Sequence, residues 1–372
     1  MVVGGWVGLA VNPHLLEDLT RHRQVLLVSG TNGKTTTAAM LRQAWGPDVA
    51  GNHTGANMPQ GHVAALVESE SPRVVLEVDE AYLGEAVART SPRGIVLLNL
   101  SRDQLDRAAE VRLLAERWRH DLAGRRGVTA NANDPLVVFA AETSFDVQWV
   151  QVPTPWTKDA FACAHCTRPL HFVDDGDWWC ECGFRRPQHC RARIDDDGMW
   201  VGDELVDLSL RLPGQMNRSN ALMALCALQG VGVEAHEGAR RLEELTSVEG
   251  RYRVYDWRGR RIRLVLAKNP AGFGEALRSV SYEESVWISI NARLADGRDP
   301  SWLYDIDVTS LSGRSVMCSG DRCLDLATRL TYAGVGADVV EDPSHLSHGE
   351  GDVCVVANYT AFREWRHRLE TS

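Results

Sequence analysis

Apolar residues fall along this chain in short blocks separated by polar, glycine-containing turns. Val25-Leu26-Leu27-Val28 is the first continuous block, and its length and β-branched content predict a buried strand. It runs into Ser29-Gly30-Thr31-Asn32-Gly33-Lys34-Thr35-Thr36-Thr37 and then into a helical stretch from Ala38 to Trp45. Val74-Val75-Leu76, Ile95-Val96-Leu97-Leu98 and Gly127-Val128-Thr129-Ala130 predict further strands. Strands that alternate with helices imply a parallel sheet, so the fold class is α/β. From Gly250-Arg251-Tyr252-Arg253 the chain changes character, and Ile262 to Leu266 and Trp287 to Ile290 predict the strands of a smaller α/β domain. The expected division is 1–248 and 249–372. No apolar run approaches the roughly 20 residues that cross a bilayer.

The first turn carries candidate chemistry. Strand, glycine turn and helix together make a phosphate loop, in which Gly30, Thr31, Asn32 and Gly33 let backbone N–H groups converge on phosphate oxygens at a helix N-terminus. Lys34 is placed to reach the β and γ phosphates, Thr35 to ligate Mg²⁺, with Thr36 beside it. The general pattern GxxxxGK[ST] has glycine where this chain has Val28. The second strand ends in Glu77-Val78-Asp79-Glu80, at the place where an α/β nucleotide site holds its metal with a carboxylate. Glu77 is the choice for Mg²⁺; taken alone, a solvated strand end has the same composition.

Nine cysteines, an odd number, fit a reducing compartment better than a fully paired disulfide framework. Cys163-Ala-His-Cys166 and Cys180-Glu-Cys182-Gly-Phe form two knuckles around a short polar and aromatic stretch, a zinc ribbon pattern spanning about 158–192. Cys163, Cys166, Cys180 and Cys182 are the expected ligands of a structural zinc. The second knuckle is one residue shorter than CxxC, which leaves Cys190 or His165 as alternatives for the fourth ligand.

Charge changes the picture in two ways. With 40 Lys+Arg against 50 Asp+Glu the net charge is −10, which disfavours nucleic-acid binding through bulk charge. Only Lys34, Lys158 and Lys268 are lysines, so the cationic surface is almost all arginine. The start, MVVGGWVGLAVNPHLL, lacks a basic n-region and a convincing cleavage site, and the expected location is cytoplasmic.

GTNGKTTT, LEVDEA, NLSRDQLDR, NANDP and LPGQMNRSNA occur in this order along the chain. The order resembles that of the Mur ligases, ATP-dependent amide-forming enzymes of peptidoglycan synthesis. The resemblance implies that Asn133, Asp134, Asn217 and Asn220 lie near the adenine, with Arg251 in the same nucleotide-binding set; each asparagine taken singly also suits a capping role. Several Mur ligases hold a second Mg²⁺ with a carbamylated lysine beyond the NLSRDQLD region. This chain has no lysine between Lys34 and Lys158, so that feature is expected to be absent. The segment before the phosphate loop is also too short for the UDP-sugar domain that Mur ligases place first.

LAKNPAGF, ADGRDPSWLYDID and the final Asn358-Tyr359-Thr360-Ala361-Phe362 resemble one branch, the MurT-type subunit of lipid II isoglutaminyl synthase. That resemblance implies a parallel-sheet phosphate-loop central domain with an inserted zinc ribbon and a smaller C-terminal domain. It also implies ATP-dependent amidation of the D-glutamate α-carboxylate of lipid II through an acyl phosphate. Ammonia would come from a GatD-type glutaminase subunit in a heterodimer working at the inner face of the cytoplasmic membrane. Lys34 and Lys268 would stabilise charge on the transferring phosphoryl group, and an aspartate of the last domain would complete the partner's triad. Asp305 is the choice, with Asp296, Asp299 and Asp307 as alternatives. A glutaminase within this chain is rejected: Met317-Cys318-Ser319-Gly320 has Val316 where a nucleophile elbow has glycine, and His348-Gly349-Glu350 follows too closely. Two competing readings are a stand-alone amino-acid ligase of the Mur or folylpolyglutamate type and a nucleotide-binding adaptor.

Overall fold

A computed structural model describes residues 2–52, 55–102, 111–154, 158–173, 176–248, 250–280, 285–340 and 351–371 of the chain. Residues 103–107 of the NLSRDQLDR stretch, and His348 and Glu350, lie outside the described residues. The chain divides into two compact units. The first comprises Met1–Ser101, Ala109–Arg211 and Met216–Leu245; the second comprises Arg102–Ala108, Leu212–Gln215 and Thr246–Ser372.

The strands of the first unit are β1 (Gln24–Ser29), β2 (Ala50–Gly51), β3 (Arg73–Glu77), β4 (Gly94–Leu97), β5 (Val128–Asn131), β6 (Val147–Gln151), β7 (His171–Phe172), β8 (Trp178–Trp179), β9 (Ala192–Asp195), β10 (Gly198–Val201) and β11 (Glu204–Leu205). A nine-stranded sheet runs in the order β11-β10-β9-β6-β5-β4-β1-β3-β2, with β7 and β8 paired apart from it. Neighbours from β2 to β9 are parallel, and β10 and β11 turn back antiparallel at the edge. Val25, Leu26, Leu27 and Val28 are all buried, as a strand covered on both faces requires.

β1 lies between β3 and β4, where the strand order reverses, and the carboxyl ends of such strands frame a crevice. Register brings Val28 opposite Glu77 and Ser29 opposite Leu97, so the turn after β1 meets the turns after β3 and β4. Two boundaries differ from the sequence expectation. The helix after β1 spans Lys34–Trp45 because the break falls at Gly33, φ +88°, and the threonines that follow are already helical. The strand expected from Gly127 begins at Val128. Gly127 is a left-handed turn residue, φ +73°, and a Cβ there would meet the Arg93 carbonyl at 2.5 Å.

The amino-terminal residues form a helix, Val2–Val11, that hydropathy did not resolve. Its packing depends on Gly5, where a Cβ would fall 1.8 Å from the carbonyl oxygen of Gln60 on the helix Pro59–Val67. Among the described residues no helix is long and apolar enough to cross a membrane.

The second unit contains β12 (Tyr252–Trp257), β13 (Arg260–Leu266), β14 (Ser285–Ser289), β15 (Val316–Ser319), β16 (Asp338–Val339) and β17 (Val353–Ala357). They form one sheet in the order β12-β13-β17-β14-β15-β16. Only the β12–β13 hairpin is antiparallel. One apolar cluster packs Phe273, Leu277, Trp302 and Leu326 with Val286 and Ile288, and another packs Phe362 and Trp365 with Ile262, Leu264 and Trp287.

Candidate nucleotide site and metal centre

The phosphate loop is set by contacts that converge from three parts of the first unit. Gly30, φ +142°, runs so close to the end of β4 that a Cβ would meet Asn99 N and Leu98 Cβ at 2.9 Å. Asn99 clamps the loop in both directions: its Oδ1 accepts from Asn32 N at 2.9 Å and its Nδ2 donates to Asn32 O at 2.9 Å. Thr31 N donates to Asn99 O at 2.9 Å, and Thr31 Oγ1 donates to Ser101 O at 3.0 Å. Gly33 faces the helix Gln215–Gln229, where a Cβ would lie 2.7 Å from Asn220 Oδ1. Asn217 stands one turn earlier on that helix. The sequence reading did not select Asn99; its one signal was an asparagine directly after a buried strand.

Lys34 is 5% exposed; its Nζ donates to Gly30 O at 2.6 Å and to Glu80 Oε2 at 2.9 Å. Thr35 is buried at the start of the helix and Thr36 half-buried beside it. Glu77, at the end of β3, is 2% exposed. Its peptide is bracketed by Asn52, which accepts from Glu77 N at 2.9 Å and donates to Glu77 O at 2.8 Å. His62 Nε2 lies 2.9 Å from the same carbonyl, and burial pulls the imidazole down to about 4. The charge of the nearby Arg42 guanidinium acts on the Glu77 carboxylate. A buried carboxylate and a hydroxyl are hard oxygen donors, so Glu77 and Thr35 fit an oxygen-liganded Mg²⁺.

The loop after β5 lies on the other side of β4. Asp134 caps the helix Pro135–Ala141: its Oδ1 accepts from Leu136 N at 2.9 Å and Val137 N at 3.1 Å, and its Oδ2 from Leu100 N at 2.9 Å. Burial pushes this carboxyl up to about 6, outweighing the three amides that favour its charged form. Asn133 is 3% exposed, and its Oδ1 has no hydrogen-bond partner among the described residues.

The four cysteines of the two knuckles converge, their sulfurs all within 4.8 Å of one another. Cys163 Sγ lies 3.7 Å from Cys182 Sγ, and Cys166 Sγ 3.5 Å from Cys180 Sγ. A tetrahedral site with Zn–S near 2.3 Å requires S···S spacings of about 3.8 Å, so the donor set and geometry both fit zinc. The two alternative ligands are engaged elsewhere. His165 Nε2 pairs with Glu142 Oε1 at 2.7 Å, and Cys190 Sγ points at Pro187 O at 3.6 Å.

The remaining candidates belong to the second unit. Arg251 sits in the turn before β12, its N–H donating to Val248 O at 3.1 Å. Lys268 is half-buried and precedes Asn269, whose side chain caps the helix Pro270–Arg278 through Gly272 N at 2.9 Å. Three of the four aspartates accept from backbone N–H groups: Asp299 from Ser301 N at 2.9 Å and Asp307 from Thr309 N at 3.0 Å, both local, and Asp296 from Thr360 N at 2.8 Å, 64 positions along the chain. Asp305 meets the Arg102 guanidinium, which belongs to the same unit, at 3.5 Å. Cys318 is buried in β15, and burial pushes its thiol up to about 12, the opposite of a nucleophile's environment.

A family profile described as MurT ligase C-terminal matches residues 266–362. The chain is 27% identical over 406 residues to the lipid II isoglutaminyl synthase (glutamine-hydrolyzing) subunit MurT of Staphylococcus aureus strain COL, covering 99% of this chain and 92% of that protein. Among solved structures, a pseudomurein peptide ligase type C from Methanothermus fervidus superposes with a TM-score of 0.71 at 19% identity, over 94% of this chain and 78% of that one. MurF from Acinetobacter baumannii gives 0.68 at 14% identity, over 96% and 79%. These two show the fold alone.

Proposed function

The chain belongs to the MurT family of the Mur ligase superfamily, and on that premise we propose that it is the ATP-dependent subunit of a lipid II isoglutaminyl synthase. The observation that carries this reading is likeness along 99% of the chain to a MurT subunit, in a molecule whose phosphate loop presents a buried lysine. The group amidated is the α-carboxylate of D-glutamate in the lipid II stem peptide.

A carboxylate is a poor electrophile until one oxygen becomes part of a leaving group. In the proposed reaction that oxygen attacks the γ-phosphorus of ATP, ADP departs, and an acyl phosphate forms. Ammonia then adds to the carbonyl carbon, inorganic phosphate leaves, and the nitrogen loses a proton to give the amide. Backbone N–H groups of the Gly30 to Gly33 turn and the Lys34 ammonium would offset charge on the phosphates. Lys268 is assigned to the same task, and Asn133, Asp134, Asn217, Asn220 and Arg251 to the nucleotide. Thr35 and Glu77 would hold Mg²⁺, which supplies further charge neutralisation when bound. Ammonia must be generated next to the site because ammonium is unreactive at neutral pH. A GatD-type glutaminase subunit is the proposed source, with the pair working at the cytoplasmic face of the membrane where lipid II is presented. The aspartate-bearing segment of the second unit, with Asp305 first among the candidates, is assigned to the partner's triad.

Purified chain with a verified active glutaminase partner should convert lipid II D-glutamate to D-isoglutamine when given ATP and glutamine. No conversion would sink this reading, and amino-acid addition without glutamine would replace it by a stand-alone ligase.

A further inference from the structure

The zinc ribbon is packed into the first unit through the loop and helix that follow β5. Trp178 on β8 is fully buried, and its Nε1 donates to Ala132 O at 3.2 Å, one residue before Asn133. Gly176, φ +77°, passes so close that a Cβ there would meet Asn133 Nδ2 at 2.6 Å. From Trp178 a file of rings leads away: Phe184 at 4.8 Å, His165 at a further 4.7 Å, and Phe139 at a further 5.0 Å between centroids. His165 sits between the two cysteines of the first knuckle, and Phe139 lies on the helix that Asp134 caps. The ribbon therefore grips the Asn133-Asp134 segment at both ends. Between those grips the Asn133 Oδ1 is buried without a partner among the described residues, a condition that costs free energy unless a ligand donor completes it.

We propose that the ribbon is a positioning element for the base of the nucleotide. The ribbon holds Trp178 against the loop and His165 against Phe139 of the helix that follows it, and this fixes where the Asn133 carbonyl points. A fixed carbonyl oxygen accepts from the exocyclic amine of adenine and repels the carbonyl oxygen that guanine carries at the equivalent place, so ribbon packing sets the preference for ATP over GTP. The inference rests on the reading above that Asn133 faces the base.

The test measures ATP and GTP dissociation constants by calorimetry on the zinc-replete full chain, with zinc content and melting temperature recorded for each variant. Asn133→Ala should weaken ATP about three- to tenfold, the usual range for one lost hydrogen bond, and should bind GTP as well as or better than wild type, because the repulsion is removed with the carbonyl. Trp178→Phe keeps an aromatic ring and removes the N–H; Gly176→Ala presses a methyl group on Asn133. Both should retain zinc and lower the ATP preference as Asn133→Ala does, and Gly176→Ala decides the matter if Trp178→Phe sheds its metal. An unchanged preference in Asn133→Ala would remove the adenine assignment itself. A reduced preference in Asn133→Ala together with a wild-type preference in the zinc-retaining ribbon variants would overturn the coupling alone.

Discussion

Lys34 Nζ lies 2.9 Å from Glu80 Oε2 in an ion pair whose side chains keep only 5% and 11% of their exposure. The same ammonium donates to Gly30 O and approaches Thr31 O at 3.4 Å, so its three N–H bonds are directed at oxygens of the protein. A triphosphate has to take over at least one of these contacts, and Glu80 is the negatively charged competitor. Glu80 is held from behind: Trp118 Nε1 donates to its carbonyl at 2.9 Å, and Asp79 caps the turn through Ala81 N at 3.1 Å.

Removing the carboxylate while leaving the ammonium buried should destabilise the nucleotide-free protein by about 3 kcal/mol. Bound triphosphate returns negative charge to Lys34, so Mg-ATP should restore much of the loss. Glu80→Ala is therefore expected to melt below wild type, and the rise in melting temperature on adding saturating Mg-ATP should be larger in the variant. Equal rises in the two proteins would mean that Lys34 does not exchange Glu80 for phosphate.

Asp134 should leave its mark on the pH dependence of stability. Its folded-state carboxyl is raised from 3.8 to about 6, chiefly by burial. Between those values the folded protein holds a proton that the unfolded chain has released, so stability falls as pH rises through this window and is fullest below it. At 1.36 kcal/mol per pH unit the span corresponds to about 3 kcal/mol. Asp134→Asn cannot titrate, although its amide N–H₂ would face the Leu100 N–H. Denaturant unfolding at pH 4 and pH 7 should show wild type losing more stability than the variant across the interval. A variant with the wild-type slope would assign that slope to other groups.

Local patterns were legible in the sequence and distant ones were not. The β1 strand, the phosphate loop and its helix are consecutive, and the physics that forms them, a buried apolar run and glycines that admit positive φ, acts over a few residues. The four cysteines were legible because two tight knuckles can only usefully converge. Asn99 was not, because its bonds reach a loop 67 positions away and asparagine after a strand is commonplace. Glu80 was passed over for Glu77 because both belong to one acidic cluster, and only the fold shows that Glu80 is spent on Lys34. The Val2–Val11 helix was hidden by its own glycines, which lower helix propensity but admit the close approach to Gln60. The edge strands β9 to β11 are short and polar, and they exist as sheet because β9 adds to β6.

The ribbon cysteines give a direct metal test. Cys163 and Cys180 are buried in the same apolar cluster as Leu136, Val137 and Phe139, so metal loss should be felt beyond the knuckles. Metal analysis of wild type should find roughly one zinc per chain, as a closed four-ligand site predicts, and Cys163→Ser should lose it and melt at lower temperature. Unchanged zinc content in Cys163→Ser would remove that cysteine from the ligand set.

Asp305 can be separated from its neighbours because the four aspartates are engaged differently. Replacing Asp296, Asp299 or Asp307 removes a carboxylate that accepts from a backbone N–H, with hydrogen bonds of 2.8 to 3.0 Å, so each of these variants should disturb the segment it holds. The Asp305 carboxylate is about one-third exposed and meets Arg102 at 3.5 Å, and partly exposed ion pairs contribute little to stability. Asp305→Asn keeps the size and hydrogen-bonding oxygen of the side chain and should fold and melt close to wild type. Paired with the glutaminase subunit it should lose glutamine-dependent amidation, because the partner's histidine loses its orienting carboxylate. Free ammonia at elevated pH, where more of it is unprotonated, should still support amidation with ATP. Sustained glutamine use by Asp305→Asn would move the role to one of the other three aspartates, and loss of the ammonia-dependent reaction as well would place Asp305 in the amidation chemistry instead.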